Sequence, residues 1–248
     1  MAISYIEADM SQPLLEINID HLVTEDDTPV DNILSEKNQR LLTEPLYTNW
    51  SGPGDNRPYL VAANVGVFSS LYQSPIVPDV FLSLDVEVHE DWTKKRHRSY
   101  FVWEFGKPPD LVIEIVSNKE GGENTSKLQR YARIGITYYV IFDPDKHLSN
   151  ELLIVYGLQL GRYVRLNQAY FNEIGLGVCL WDGVFERKHS TWLRWCDRQG
   201  QIIPTGKEST EAEKQQVETE KQRAEAEKQR AEKLAIKLRE LGIDPDLL

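Results

Sequence analysis

The stretch LVIEIVSNKEGGENTSKLQRYARIGITYYVIFD, residues 111–143, decides the fold. Residues 111–116 are apolar and largely β-branched, the composition of a strand buried on both faces of a sheet. Glu114 alone breaks that run. An Asn- and Gly-rich loop follows Ser117, and then a helix is expected. Asn124, Thr125 and Ser126 are N-cap residue types, Leu128, Tyr131, Ala132 and Ile134 supply apolar positions, and Gly135 sits where a helix-ending glycine belongs. The segment ITYYVIFDPD reads as a second short strand closed by an Asp-Pro turn. Strand, helix, strand is the kernel of a mixed α/β (α+β) sheet fold.

Upstream, VPDVFLSLDVEVHE alternates. Val80, Leu82, Leu84, Val86 and Val88 share one face and Ser83, Asp85, Glu87 and His89 the other, which predicts a half-buried strand. PYLVAANVGVF reads as a strand or a short buried segment, NWSGPGDNRP as a loop and residues 32–42 as a short helix. Downstream, LLIVYGLQLGRYVRL predicts a hairpin and LGVCLWDGVFE more strand sequence. The chain then changes character. From Glu208 to Glu240 it is dominated by Glu, Lys, Gln, Arg and Ala, with EKQ recurring at 213, 220 and 227. One seam carries Val217, Ala224, Ala231 and Leu238; the other carries Glu220, Glu227, Leu234 and Leu241. This predicts a long charged helix, solvated alone or paired with a second copy in a homodimer. Gly242 and Pro245 are its stop signals. The expected division is a body over 1–206 and a helical tail over 207–248.

The net charge is −11, of which the first 206 residues carry −9. Such a body does not coat nucleic acid non-specifically, so a nucleic-acid site must be a local basic patch. The densest candidate is TKKRHRSY, with Lys94, Lys95, Arg96 and Arg98, which reads equally as a solvated loop. Cys179 and Cys196 have no metal-ligand spacing and read as buried free thiols; the five histidines form no spaced set. There is no bilayer-length apolar run, and MAISYIEADMSQPLLEINID does not read as a signal peptide, so no membrane partner and a cytoplasmic location are expected.

A lone carboxylate in a buried strand costs several kcal/mol or takes up a proton instead. A divalent metal, a lysine or an arginine would compensate it. Asp79 opens the alternating strand and would lie beside Glu114 if the two strands pair. Two carboxylates plus waters are a way to hold magnesium for phosphate chemistry. Lys127, Arg130, Tyr131 and Ile134 share one helix face, which should bring the Lys127 amine toward Glu114. The bland readings are a structural ion pair of Glu114 with Lys127 or Arg130, and Asp79 as a turn cap.

These residues resemble the PD-(D/E)xK nuclease arrangement. More narrowly, VPDVFLSL and PPDLVIEIVSNKEGGENTSKLQRYARIGITYYVIFDP resemble the endonuclease family called Uma-two, and the tail ending LRELGIDPD resembles a cyanobacterial subset of it. The resemblance implies a restriction-endonuclease-like mixed sheet flanked by helices. It implies Asp79 and Glu114 as ligands of magnesium or manganese and Lys127 as the catalytic lysine, migrated from the strand position that Val116 occupies. Glu123 stands where the family more often has Asp. Asp110, in a second Pro-Asp, rivals Asp79, but four residues of strand separate it from Glu114 by about 13 Å. Glu36 is a further carboxylate of the kind many such nucleases place on an N-terminal helix. The implied activity is metal-dependent hydrolysis of DNA, with Lys94, Lys95, Arg96 and Arg98 steering the backbone. The alternative is a catalytically silent module of the same fold that self-associates or binds a partner through its tail.

Overall fold

The computed structural model describes residues 32–54, 57–117 and 122–240. In chain order its elements are α1 (Ile33–Asn49), β1 (Tyr59–Ala63), β2 (Val67–Phe68), β3 (Val80–Leu84), β4 (Tyr100–Phe101), α2 (Val102–Phe105) and β5 (Leu111–Ile115). One turn of π-type helix, Glu123–Lys127, then leads into α3 (Leu128–Ile134). After it come β6 (Tyr138–Phe142), β7 (Leu153–Gln159), β8 (Arg162–Arg165), β9 (Tyr170–Phe171), β10 (Leu176–Phe185), β11 (Lys188–Cys196) and α4 (Gly206–Glu240).

The main sheet has the order β1-β3-β5-β6-β7-β8. Only β5 and β6 run parallel, because the segment between them is a helical crossover; every other neighbour in this sheet is antiparallel. All five residues of β5 are buried, since the strand is covered on both faces. Leu111, Ile113 and Ile115 meet Leu42 and Leu46 of α1 and Val178, Leu193 and Trp195 of the β11-β10-β9 sheet. Val112 and Val116 turn the other way, into a cluster with Phe81, Tyr131, Tyr139 and Ile141. Glu114 has the parity of that second set and therefore lies beneath α3. This mixed sheet, its flanking helices and the long C-terminal helix agree with the restriction-endonuclease-like fold that the resemblance implied.

Several local expectations are corrected. β3 is buried on both faces rather than half-buried: Ser83 is enclosed and its hydroxyl meets the Tyr100 hydroxyl at 2.8 Å. The strand stops at Leu84 because Asp85 takes a φ of +58°, its carboxylate held by Arg57. α1 is longer than the predicted 32–42 and runs through Pro45. Leu46 beyond the proline is fully buried, and the Tyr47 hydroxyl bonds to Val61 of β1, contacts that offset the helix bond a proline removes. The N-cap of the crossover is Gly122, not Asn124, Thr125 or Ser126. Its φ is +72°, and a side chain there would meet the Ser126 Oγ at 2.5 Å. Gly135 does close α3, in the left-handed conformation expected. Both cysteines are free thiols, Cys196 buried and Cys179 only partly so. No helix among the described residues is long and apolar enough to cross a membrane.

The tail is fastened at its root. Thr205 and Glu208 form a reciprocal cap, with the Thr205 N–H donating to Glu208 Oε2 at 2.7 Å and the Glu208 N–H donating to Thr205 Oγ1 at 3.2 Å. The same carboxylate neutralises Arg194, whose side chain is 1% exposed, at 2.7 Å. Beyond Thr210 the helix is solvated, and Val217 and Leu234 are 64% and 59% exposed. Leu241, Gly242 and Pro245 lie outside the described residues. Glu208→Ala is therefore expected to cost about 2–3 kcal/mol by urea unfolding, since it removes a cap and strands a buried cation. Glu218→Ala, on the solvated part, should stay within about 0.5 kcal/mol of wild type.

Candidate active site

The register of β3 against β5 pairs Val80 with Ile113. One step further along, the Asp79 carboxylate reaches β5 and accepts the Ile115 N–H at 2.6 Å through Oδ2. Asp79 thus lies across from Glu114, at the strand end where the chain leaves the sheet for the crossover. Its Oδ1 lies 3.4 Å from the Gln39 amide of α1. Gln39 and Asn64 bond reciprocally through their side-chain amides, at 3.1 and 3.2 Å. The pair supports the carboxylate from the α1 side.

Glu114 is 1% exposed, and both of its oxygens are engaged. The Tyr131 hydroxyl donates to Oε1 at 2.5 Å, and the Lys127 ammonium donates to Oε2 at 2.8 Å. Lys127 also reaches Glu123 Oε1 at 3.3 Å. The wide turn Glu123–Lys127, closed by the Lys127 N–H on the Gly122 carbonyl at 3.0 Å, is what sets both side chains over the end of β5. Glu123 is buried, and its Oε2 has no hydrogen-bond partner among the described residues. Lys127 retains 27% of its side-chain exposure and forms the mouth of the site.

Burial pushes the Glu114 carboxyl up to about 8, aided by the nearby Asp79 charge and opposed by Lys127 and by the Tyr131 hydrogen bond. Burial also acts to lower Lys127, but Glu114, Glu123 and Asp79 outweigh it and raise the amine above its ordinary value. Burial and the adjacent Glu114 hold Tyr131 far above the tyrosine range, so it is a hydrogen-bond donor at any physiological pH. The centre therefore has carboxylate to spare and a single ammonium to balance it.

A divalent cation fits this imbalance. The chemical test is Glu123 Oε2, a buried acceptor with nothing to accept, beside a Glu114 carboxyl that burial alone would keep protonated. No group of three or more His, Cys, Asp or Glu side chains converges on one point among the described residues. An ion here would therefore have only one or two protein carboxylates, and its other positions would fall to water and substrate phosphate.

The remaining sequence candidates lie elsewhere. Asp110 is at the opposite end of β5, where it accepts the Leu84 N–H at 2.8 Å and pairs with Lys107 at 2.6 Å. Glu36 is in an exposed ion pair with Arg40, and the α1 side chain that reaches Asp79 is Gln39. Arg130 bonds the Ser74 and Pro75 carbonyls rather than Glu114. In the basic cluster Lys94 lies 3.9 Å from Asp91, Arg96 lies 3.7 Å from Glu104, and Arg98 donates to the Trp92 and Thr93 carbonyls. Lys95 opens the 3-10 turn Lys95–His97 between them.

The family model of Uma2, described as "Putative restriction endonuclease", matches residues 25–173 of this chain. That span holds Gln39, Asn64, Asp79, Glu114, Glu123 and Lys127, and ends before β10, β11 and the tail. No curated protein matches the chain.

Proposed function

The chain belongs to the Uma2 family, and we propose that it is a metal-dependent endonuclease hydrolysing DNA phosphodiester bonds at Asp79, Glu114 and Lys127. The observation that carries this reading is Lys127, bound to the buried Glu114 at 2.8 Å and to Glu123 at 3.3 Å, at the open edge of the site. A structural ion pair would not need a third carboxylate left half-satisfied beside it.

Asp79 and Glu114 would hold magnesium or manganese, with Glu123 as the nearest further oxygen donor. When bound, that ion supplies Lewis-acid polarisation of a phosphate oxygen and acidifies a coordinated water. The chain's own groups do the rest. Tyr131 fixes the Glu114 carboxylate through Oε1, and Oε2 faces the Lys127 ammonium. The Ile115 N–H and the Gln39 amide, itself bonded to Asn64, hold Asp79. Lys127, charged throughout the neutral range, orients the attacking water or balances the charge that grows on the phosphoryl oxygens. Lys94, Lys95, Arg96 and Arg98, which already meet Asp91, Glu104 and the Trp92 and Thr93 carbonyls, would be the cations that steer a phosphate backbone on an otherwise acidic protein. The solvated tail offers a face for a second copy.

The test is nicking of supercoiled plasmid. Cleavage should require magnesium or manganese, stop on chelation, and fall by about 10²–10³-fold in Asp79→Asn, which keeps an acceptor for the Ile115 N–H and so keeps the fold. Cleavage by Asp79→Asn at the wild-type rate would remove Asp79 from the centre. No cleavage by wild type of duplex, branched or single-stranded DNA with either metal would favour the silent module that acts through its tail.

A further inference from the structure

Both oxygens of Glu114 already accept a hydrogen bond, Oε1 from the Tyr131 hydroxyl and Oε2 from the Lys127 ammonium. The two donors differ in their freedom to move. Tyr131 is 0% exposed, and its ring packs against Tyr139 with centroids 5.1 Å apart. Lys127 keeps 27% of its side-chain exposure and carries its charge on a flexible four-carbon stem. An ammonium and a divalent ion on one carboxylate oxygen would also repel each other. The donor that yields to a cation is therefore Lys127. A second acceptor is at hand. Glu123 Oε1 lies 3.3 Å from the same Nζ, and its buried Oε2 has no hydrogen-bond partner among the described residues. Glu123 precedes Lys127 by four residues in one turn of π-type helix, so a transfer between the two acids needs side-chain rotation and no change of backbone. The Tyr139 hydroxyl pins that turn by donating to the Glu123 carbonyl at 3.0 Å.

Resting on the metal-dependent reading above, we infer that Lys127 and the cation compete for Glu114 Oε2, and that Glu123 is a positioning residue which holds the Lys127 ammonium while the cation is bound. This accounts for a third buried acid at a centre where no group of three carboxylates converges among the described residues. Glu123 serves the lysine and not the ion. An ammonium driven off Glu114 with no acid beside it would stand uncompensated against the bound cation, and Glu123 supplies its counter-charge from within the same turn. The arrival of the cation thus frees the lysine from its pair with Glu114 and leaves it, still held, where the proposed chemistry needs a positive charge.

The experiment is calorimetric titration of manganese alone into the full chain, for wild type, Lys127→Met, Glu123→Gln and the double variant. Removing the competitor in Lys127→Met should tighten manganese binding by about ten-fold. Glu123→Gln keeps the shape without the charge. It should weaken binding by about ten-fold when Lys127 is present, and by clearly less in the Lys127→Met background, where no ammonium needs a place. A loss at least as large in that background would make Glu123 a metal ligand and overturn the inference. So would a Lys127→Met protein that binds manganese no more tightly than wild type. Should Lys127→Met fail to fold, a crystal structure of wild type with manganese decides the matter. The Lys127 Nζ is expected off Glu114 and on Glu123. An ammonium still on Glu114 Oε2 beside the bound ion would overturn the inference while the metal reading stands. A wild type that binds no manganese would overturn both.

Discussion

Glu114→Gln lowers plasmid cleavage by about 10³-fold or more, yet leaves metal-free protein at pH 8 as stable as wild type or more so. The two effects share one cause. Glu114 is fully enclosed, and burial raises its carboxyl to about 8, so its charge is a cost to folding. Glutamine keeps the shape, still accepts from Lys127 and can still bond the Tyr131 hydroxyl, but it cannot ligate a metal as an anion. The sign of the pH dependence follows. An unfolded glutamate titrates near about 4.3. Between that value and about 8 the native state binds the extra proton, so Glu114 makes stability fall as pH rises through this window. Thermal melts in EDTA from pH 4 to 9 should show this decline in wild type and a flatter profile in Glu114→Gln. A variant that melts lower than wild type at pH 8 would make Glu114 a structural anion instead.

Lys127→Met acts in the opposite sense. It removes the ammonium that lies 2.8 Å from Glu114 and 3.3 Å from Glu123, both buried. Two uncompensated carboxylates remain. The expected cost is about 3 kcal/mol at pH 8, the lower end for a broken buried pair because Lys127 is itself partly exposed. Without the lysine Glu114 titrates above its wild-type value of about 8, so the deficit widens above that pH, where wild type can ionise the carboxyl beside Lys127 and the variant cannot. Urea unfolding at pH 9.5 and pH 7 checks this: the deficit should be smaller at the lower pH. An equal deficit at both would show that the lysine contributes by packing alone. Cleavage should be lost at either pH.

The charged centre was legible because its signals are local. Glu114 stands out from the strand it interrupts, Asp79 lies on the strand that pairs with it, and Lys127 follows within thirteen residues; the three do lie together. What surrounds them was not. Gln39 arrives from a helix forty residues before Asp79, and nothing in its local sequence marks it. Tyr131 reads as an ordinary core residue of an amphipathic helix, and its hydroxyl bond to Glu114 depends on depth of burial rather than on pattern. Glu123 comes into range only because the chain takes a π-type turn from a left-handed Gly122, where the Asn, Thr and Ser that follow suggested an ordinary cap. Alternation misled at β3, since Ser83 is a polar residue with a buried partner. β11 escaped notice because buried Arg194 breaks its apolar run, and the acid that compensates it lies on the tail helix.

The central claim is that Glu114 is a metal ligand rather than the structural partner of Lys127, and calorimetric titration of manganese into the full chain tests it most directly. Wild type should bind manganese, and Glu114→Ala, folded by circular dichroism, should lose that binding. Retention of wild-type manganese affinity by Glu114→Ala would contradict the account.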